Sequence, residues 1–307
     1  MLTAAAEHRG REMTAPAVSE TLVTGSRPPH CGRAETFPMV MGILNLTPDS
    51  FSDGGRFIKP AAAFEQARRM HAEGAVIIDV GGESTRPGAS PVSADEEIER
   101  VIPVIEAIAA GLPTRISIDT SKPVVMREAV ASGASMINDV RALREEGALE
   151  TAAGLGADVC LMHMQGEPRT MQTNPRYRDV VTEVRDFLIA RAGECERAGI
   201  PRSRIYIDPG FGFGKTLEHN LRLLAELGAL AATDYAVMVG LSRKSMIGTL
   251  LDRPVNDRVQ GSVALALMAY LNGARLIRVH DVAPTVDALR IAERVRRYQT
   301  PRTVEAG

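Results

Sequence analysis

Short apolar runs alternate with longer amphipathic segments along most of this chain. The apolar runs are rich in Val and Ile and too short for helices, so they predict β-strands. The segments between them carry apolar residues at helical spacing. The strand-like runs are, in chain order, VMGILN, VIIDV, RISID, SMIND, VCLMH, IYID, AVMVGLSRK and LIRVH. Each run is followed by a predicted helix, so the pattern predicts an α/β fold in which strand and helix alternate eight times.

Eight alternating strands and helices favour one architecture, the (β/α)8 TIM barrel, which typically needs about 250 residues. The predicted helices cover residues 61–73, 94–110, 122–132, 147–153, 179–198, 218–227, 258–272 and 283–297. Several are followed by a glycine that suits a left-handed C-cap, namely Gly74, Gly111, Gly133, Gly199 and Gly273. We therefore expect a single barrel domain at 37–300, a disordered N-terminal tail at 1–36 and a short C-terminal tail at 301–307.

The predicted helix at 258–272, VQGSVALALMAYLNG, is apolar on nearly every side. A helix on the outside of a barrel should keep a polar face towards water. This helix therefore has a second apolar neighbour. Either it contributes to a homodimer contact, which we favour, or it is buried beneath the C-terminal helix.

Composition and charge exclude several classes of protein. The net charge of −2 and the pI of about 6.3 argue against a general nucleic-acid binder. No apolar run approaches the roughly 20 residues of a membrane span, and the N-terminus does not have the pattern of a secretory signal. The three cysteines are widely spaced without a CxxC motif. They indicate reduced thiols in a cytoplasmic protein.

The ends of the predicted strands carry side chains that turn geometry alone does not require. If these strand-end residues served only to form turns, they would be mostly Gly, Ser, Asn and Asp. Here Lys, Arg and His are found among them. The residues are Asn45, Asp79 (carried within VIIDV), Asp119, Asn138, Asp139, His163, Asp208, Ser242, Lys244, Arg278 and His280. Because barrel enzymes work at the C-terminal ends of their strands, these residues are candidates for one active site.

The loops after the first two strands suit an anion and a cation. Asn45 can offer its amide oxygen to Mg²⁺, which takes few protein ligands besides phosphate oxygens and water; NLTPDSFSDGG could equally be only a turn-rich loop. In GGESTRPGAS, Arg86 can fork onto a carboxylate or phosphate. The loop could equally be only a turn rich in glycine and proline, in which Glu83 caps the turn that follows.

The later strands suit a flat ligand rich in ring N–H and amino groups, such as a pterin or guanine. Asp119, Asn138 and Asp208 would accept from those groups. DPGFGFGK then supplies glycines for close approach and two phenylalanine walls. Arg278 and His280 can bind an anion. Lys244 could alternatively form a Schiff base, and His163 is best interpreted as a satisfied strand-end histidine.

These motifs together resemble those of the dihydropteroate synthase family. They are MGILNLTPDSFSDGG, DVGGESTRPGA, SIDTSKP, INDV, LMHMQG, DPGFGFGK, GLSRKSMIG and RVHDV. The resemblance covers about residues 38 to 297 and implies the housekeeping bacterial type. It implies that para-aminobenzoate is condensed with 6-hydroxymethyl-7,8-dihydropterin diphosphate, giving dihydropteroate for folate synthesis, with Mg²⁺ as cofactor and sulfonamides as inhibitors.

The resemblance also implies roles for individual residues. Pterin binding falls to Asp119, Asn138, Asp208, Lys244 and Arg278, of which Asp119, Lys244 and Arg278 are the candidate catalytic residues. Diphosphate binding falls to Asn45, Thr85, Arg86, Arg278 and His280, with Asn45 on the metal. Para-aminobenzoate binding falls to Phe51, Asp53, Thr85, Pro87, Phe213, Lys244 and Ser245.

Two alternatives to this function stay open at the level of sequence. A pterin-dependent methyltransferase could use a similar barrel, but it would need neither Mg²⁺ nor the STRPG loop. A catalytically silent pterin-binding protein should have lost Lys244, Arg278 or the STRPG loop, and this chain retains them all.

Overall fold

The computed structural model describes residues 37–46, 60–84, 91–166 and 170–298. The expected tails at 1–36 and 301–307 lie outside these ranges, as do most of the loops after the first two strands. The domain boundaries at both tails therefore stay predictions.

Eight parallel strands form a closed barrel in chain order, as predicted. They are β1 (Met39–Asn45), β2 (Ile77–Gly81), β3 (Arg115–Asp119), β4 (Met136–Asp139), β5 (Asp158–Met162), β6 (Ile205–Asp208), β7 (Ala236–Gly240) and β8 (Leu276–Val279). The barrel closes where Met39 of β1 pairs with Leu276 of β8. Parallel pairing all round brings every strand's C-terminal end to one mouth.

Helices connect successive strands, and the eight predicted helices are found within two residues of their expected ends. The helices of the described ranges are α1 (Pro60–Ala72), α2 (Ala94–Gly111), α3 (Pro123–Ala131), α4 (Ala148–Leu155), α5 (Val180–Arg197), α6 (Leu217–Ala225), α7 (Gly228–Ala231), α8 (Ser245–Leu251), α9 (Val259–Leu271) and α10 (Val282–Arg296). The short helices α7 and α8 were not predicted. Helix α8 begins directly after Lys244.

Four of the five expected glycine caps have positive φ angles, at Gly74, Gly133, Gly199 and Gly273. The prediction for Gly111 was wrong. Gly111 is the last residue of α2, and the extended Leu112 follows it as the C-cap. A Cβ at Gly111 would lie 2.8 Å from the Phe64 ring of α1, so close helix packing explains this glycine.

The strands sort their side chains by alternation. One set of positions, such as Val40, Ile78 and Ile116, packs outward in the main core beneath the helices. The alternate positions face the barrel interior. Their lower layer is an apolar plug made of Met41, Ile77, Met136, Cys160, Tyr206, Met238 and Leu276. Two residues further along four of these strands the inward positions are polar, and they place charged groups directly under the mouth; these positions are Asp79, Asn138, Asp208 and Arg278.

Helix α9 has apolar neighbours within the chain over only part of its surface. It packs against α10 and buries Leu265, Ala269 and Tyr270, which agrees with burial beneath the C-terminal helix. Elsewhere on the helix, Met268 and Leu271 are 48% and 53% exposed. The second apolar neighbour that the sequence predicted is therefore only partly supplied within the chain.

The described cysteines agree with the expected reduced thiols. Cys160 and Cys195 are buried free thiols. Among the described residues, no helix is long and apolar enough to span a membrane.

The glycine loop after β6 offers a test of the fold around the mouth. Gly210 has a φ of +67°, and a Cβ there would lie 2.0 Å from the carbonyl oxygen of His163. Gly147 has a φ of +75° with nothing near its Cβ position. We expect Gly147→Ala to cost about 1–2 kcal/mol for the left-handed backbone alone, and Gly210→Ala to cost clearly more because backbone must also move. Urea unfolding of both variants measures the difference. Equal losses would show that the close approach to His163 is not a constraint.

Candidate active site

Arg278 crosses the mouth of the barrel and pairs with two carboxylates. Its Nε donates to Asp79 Oδ2 at 2.6 Å, and its Nη2 donates to Asp119 Oδ2 at 2.7 Å. Asp79 on β2 is fully buried, whereas Asp119 stands at the end of β3 and is partly exposed. The guanidinium is thus fixed between the deeply buried Asp79 and the partly exposed Asp119. The planar arrangement of its N–H donors allows it to bond both carboxylates at once.

Asp79 also holds Asn138 of β4. The Asn138 Nδ2 donates to the same Asp79 Oδ2 at 3.2 Å. The amide orientation follows from this bond, because the nitrogen must face the carboxylate. Asn138 Oδ1 accepts no hydrogen bond from a described residue, so it is available to a ligand's N–H group.

The sequence marks Asp79 as a chemistry-bearing residue of the second strand but gives it no binding or catalytic role. It lies two residues before the end of β2, which stops at Gly81, so it is not a strand-end residue. One signal was present: Asp79 is a lone carboxylate within the apolar run VIIDV. A carboxylate inside a strand that is buried on both faces needs a partner, and Arg278 is that partner.

Burial raises the pKa of two carboxylates at the mouth, those of Asp119 and Asp208. It raises the pKa of Asp119 to about 7; Arg278 opposes this rise and Asp79 adds to it. Burial also raises the pKa of Asp208 at the end of β6, against the attraction of Lys244. The Asp208 carboxylate accepts from the backbone N–H of Gly210 at 2.7 Å, which fixes it at the start of the glycine loop.

Lys244 reaches over this glycine loop. Its Nζ donates to the carbonyl oxygen of Phe211 and lies 4.5 Å from the centre of the Phe213 ring. Gly212 makes room for it, since a Cβ there would lie 3.2 Å from Lys244 Cδ. Burial lowers the pKa of Lys244 to about 8, although Asp208 opposes the shift. Lys244, Asp208 and Phe213, all predicted for the site, are therefore brought together.

The residue before Lys244 fixes its backbone. Arg243 has a φ of +58°, and its guanidinium forks onto Asp281 at 3.0 and 2.6 Å. Its backbone N–H donates to Ser262 Oγ of α9 at 2.9 Å. A non-glycine residue in this conformation needs such support. Arg243 thus acts on the shape of the loop that presents Lys244.

A buried lysine that the sequence analysis did not single out anchors the glycine loop from below. Lys215 is 3% exposed. Its Nζ lies 2.9 Å from His163 Nδ1 and donates to the carbonyls of Gly210 and Phe213 at 3.0 Å. Burial lowers the pKa of His163 to about 3, with Lys215 adding to the effect. His163 is therefore a neutral, satisfied histidine at the strand end, as predicted.

The remaining predicted anion ligands lie on neighbouring strand ends. His280, directly after β8, is held by Ser242, whose Oγ accepts from its backbone N–H at 3.2 Å and lies 3.0 Å from its Nδ1. Ser245 is exposed as the first residue of α8. Both residues face the loops that follow β7 and β8, where barrels often bind phosphate.

Asn45 ends β1 beside the glycine that ends β2. A Cβ at Gly81 would lie 3.8 Å from both Asn45 Oδ1 and Asp119 Oδ2. No described residue donates to the Asn45 amide oxygen, and in the described ranges no group of three acidic, His or Cys residues could hold a metal unaided. One amide oxygen beside a diphosphate fits Mg²⁺, which keeps most of its ligands as phosphate and water.

Five predicted site residues lie outside the described ranges, namely Phe51, Asp53, Thr85, Arg86 and Pro87. The first residues of the second loop, up to Ser84, are described, and Glu83 is among them. Glu83 accepts from the backbone N–H of Val92 at 3.2 Å and pairs with Lys122 at 2.5 Å. Lys122 also pairs with the fully buried Glu97. Glu83 therefore supports the segment that enters α2, close to the capping role suggested for it, and it joins a network the sequence did not reveal.

Comparison with known proteins agrees with this geometry. The model of the family described as "Pterin binding enzyme" matches residues 41–280. The dihydropteroate synthase of Escherichia coli strain K12 is 55% identical over 256 residues, which cover 83% of this chain and 91% of that protein.

Two solved structures give the same result in three dimensions. The Yersinia pestis dihydropteroate synthase, solved with a sulfonamide drug complex, aligns with a TM-score of 0.81 and 52% identity over 85% of this chain and 94% of its own. The Xanthomonas albilineans enzyme in complex with 7,8-dihydropteroate aligns with a TM-score of 0.78 and 49% identity over 85% and 95%. The chain belongs to the dihydropteroate synthase family of pterin-binding enzymes.

Proposed function

We propose that the mouth of this barrel is where the protein condenses para-aminobenzoate with 6-hydroxymethyl-7,8-dihydropterin diphosphate, giving 7,8-dihydropteroate and diphosphate. The chain is a transferase of folate biosynthesis, as its relatives are. The observation that supports this location best is the convergence of Asp119, Asn138, Asp208, Lys244 and Arg278 at one end of the barrel.

The pterin ring matches the donors and acceptors of these five residues. Asn138 Oδ1 and the carboxylate of Asp208 accept from the ring N–H and amino groups. Lys244 donates to a ring acceptor, and the planar Arg278 stacks over the ring face. In the structure, Arg278 is ion-paired with Asp119. When the pterin binds, contacts with the ligand replace part of this ion pair.

The reaction needs no nucleophilic side chain. The para-aminobenzoate nitrogen attacks the exocyclic methylene, the C–O bond breaks with its electron pair leaving on diphosphate, and the amine then loses a proton. The carboxylate of Asp119 offsets positive charge that develops at the methylene. Arg278 and His280 stabilise the departing diphosphate, together with Thr85 and Arg86 from the second loop.

Mg²⁺ would bind the diphosphate beside Asn45 and supply Lewis-acid stabilisation of the leaving group. The Asn45 amide oxygen stands next to Asp119 across Gly81. Asn45 would therefore be the residue of this chain that holds the metal.

Para-aminobenzoate lies over Phe213 on the outer side of the pterin. The ring of Phe213 and the exposed Ser245 border the same opening as Lys244. Phe51, Asp53, Thr85 and Pro87 complete this subsite in our proposal. Sulfonamides would compete here, since they share the flat aminobenzene of the substrate; a sulfonamide complex is known for the Yersinia pestis relative.

A homodimer is the assembly we propose. The adjacent helices α9 and α10 leave Met268, Leu271, Ile291 and Val295 between 48% and 68% exposed. Apolar side chains of this size favour a protein contact. A cytoplasmic location, expected from the reduced cysteines, stays a prediction.

Two measurements test the function. Calorimetry should show binding of the pterin diphosphate, and addition of para-aminobenzoate should release diphosphate and form dihydropteroate. Binding without release would favour a silent pterin-binding protein. Methyl transfer from a methylated pterin, with no diphosphate release, would favour the methyltransferase class.

Lys244 should set the alkaline limit of activity. Since the pKa of Lys244 is about 8, its ammonium is lost as pH rises through that value, and kcat/KM for the pterin diphosphate should fall there. Lys244→Arg should bind pterin more weakly, because a planar guanidinium directs its N–H donors differently from a compact ammonium group. The decrease in kcat/KM should also move to higher pH in this variant.

Lys122→Arg is the control for this profile. Burial lowers the pKa of Lys122, but Glu83 and Glu97 outweigh it and raise the pKa overall, so this variant should leave the limit near pH 8. An unmoved limit in Lys244→Arg would assign it to another group. A borohydride-trapped adduct at Lys244 would overturn the amine mechanism.

Asn45→Ala should weaken Mg²⁺-dependent binding of the pterin diphosphate much more than binding of a pterin without diphosphate. The reason is that only the diphosphate complex uses the metal. Asn138→Ala provides the opposite pattern, because its oxygen faces the ring and both ligands should lose affinity. Calorimetry with and without Mg²⁺ measures each case, and equal losses for both ligands in Asn45→Ala would contradict the metal role.

A further inference from the structure

Asp79 connects two proposed pterin-binding residues although it lies beneath them. Its Oδ2 accepts from both Arg278 Nε and Asn138 Nδ2, at 2.6 and 3.2 Å. The side chain is 0% exposed, so it is out of reach of a ligand in the mouth. Gly81, the next inward residue of β2, carries no side chain that could substitute for it.

The second oxygen of Asp79 shows that packing alone does not explain this carboxylate. Asp79 Oδ1 is buried without a hydrogen-bond partner among the described residues, and so is Ser117 Oγ at the paired position on β3. A buried carboxylate with an unpartnered oxygen costs stability. The apolar plug directly below shows that the barrel interior can be filled with apolar side chains instead.

We propose that Asp79 is a positioning residue for the pterin subsite, which fixes the Arg278 guanidinium and turns the Asn138 amide so that its oxygen faces the ligand. This inference rests on the proposed function. The ligand class it selects is a ring whose edge presents N–H or amino donors to Asn138, since an inverted amide would present a donor instead.

The charge of Asp79 also balances the pull of Asp119 on Arg278. With Asp79 in place, the guanidinium divides its donors between the two carboxylates. Without that charge, Arg278 is drawn to Asp119 alone. Asp119 is then less available to the substrate, and the guanidinium leaves the position from which it covers the ring.

Steady-state kinetics of Asp79→Asn tests the inference. The variant keeps the size and an acceptor oxygen but loses the charge. We expect KM for the pterin diphosphate to rise about tenfold, as loss of a charge-assisted hydrogen bond implies, while KM for para-aminobenzoate at saturating pterin stays unchanged. Ser117→Ala is the matched control on the neighbouring strand, with a buried hydroxyl that bonds to no described residue, and it should change neither constant.

A double-mutant cycle separates positioning from general damage. Because Asp79 acts partly through Arg278, Asp79→Asn should cost less in the Arg278→Met background than it costs in the wild-type protein. Three results would each overturn the inference. The first is that Asp79→Asn leaves KM for the pterin diphosphate at the wild-type value, and the second is that both KM values rise equally. The third is that the two substitutions are fully additive in the cycle. If the wild-type protein itself failed to bind the pterin diphosphate, the proposed function would fail instead, and the two failures are thereby distinguished.

Discussion

The ion pairs of one arginine organise the working end of this barrel. Arg278 lies between Asp79 and Asp119, with a guanidinium that is largely removed from water. A buried cation is tolerated only when its donors are satisfied, and two carboxylates from adjacent strands satisfy it here. The apolar plug beneath them keeps water out of the lower barrel. The charges are therefore confined to one layer, and that layer is the floor of the mouth.

The glycine loop after β6 forms the other wall of the site and depends on a buried lysine. Lys215 gathers the carbonyls of Gly210 and Phe213 against His163. Three glycines of the loop take positive φ angles, at Gly210, Gly212 and Gly214. The backbone can thus pass close to Lys244 and offer it the carbonyl of Phe211. The glycine loop thus positions Lys244 as a hydrogen-bond donor, whereas Asp79 and Asp119 position Arg278.

Much of the fold follows directly from the sequence. The apolar runs and the helical periodicity predicted all eight strands and the eight helices that connect them, because these patterns record which residues face the core. The site residues at strand ends were also predictable as a group, since a barrel brings those ends together. Gly111 was misinterpreted because a glycine required by helix packing and one required by a left-handed cap look alike in sequence.

Residues that act on other residues were much harder to predict. Asp79, Lys215 and Lys122 have no role until the barrel brings Arg278, His163 and Glu97 to them from distant parts of the chain. Their sequence signal is only a charged residue in an apolar or glycine-rich setting. Local patterns show which side chains reach the mouth, but not which buried partner determines their orientation.

A crystal structure of the protein with bound 7,8-dihydropteroate would examine the pterin site most directly. We expect the edge of the pterin ring within hydrogen-bond distance of Asn138 Oδ1, the carboxylate of Asp208 and the ammonium of Lys244, with Arg278 against the ring face and still bonded to Asp79. A pterin bound elsewhere, or one bound in the mouth with these side chains uncontacted, would contradict the assignment of this polar layer as the pterin site.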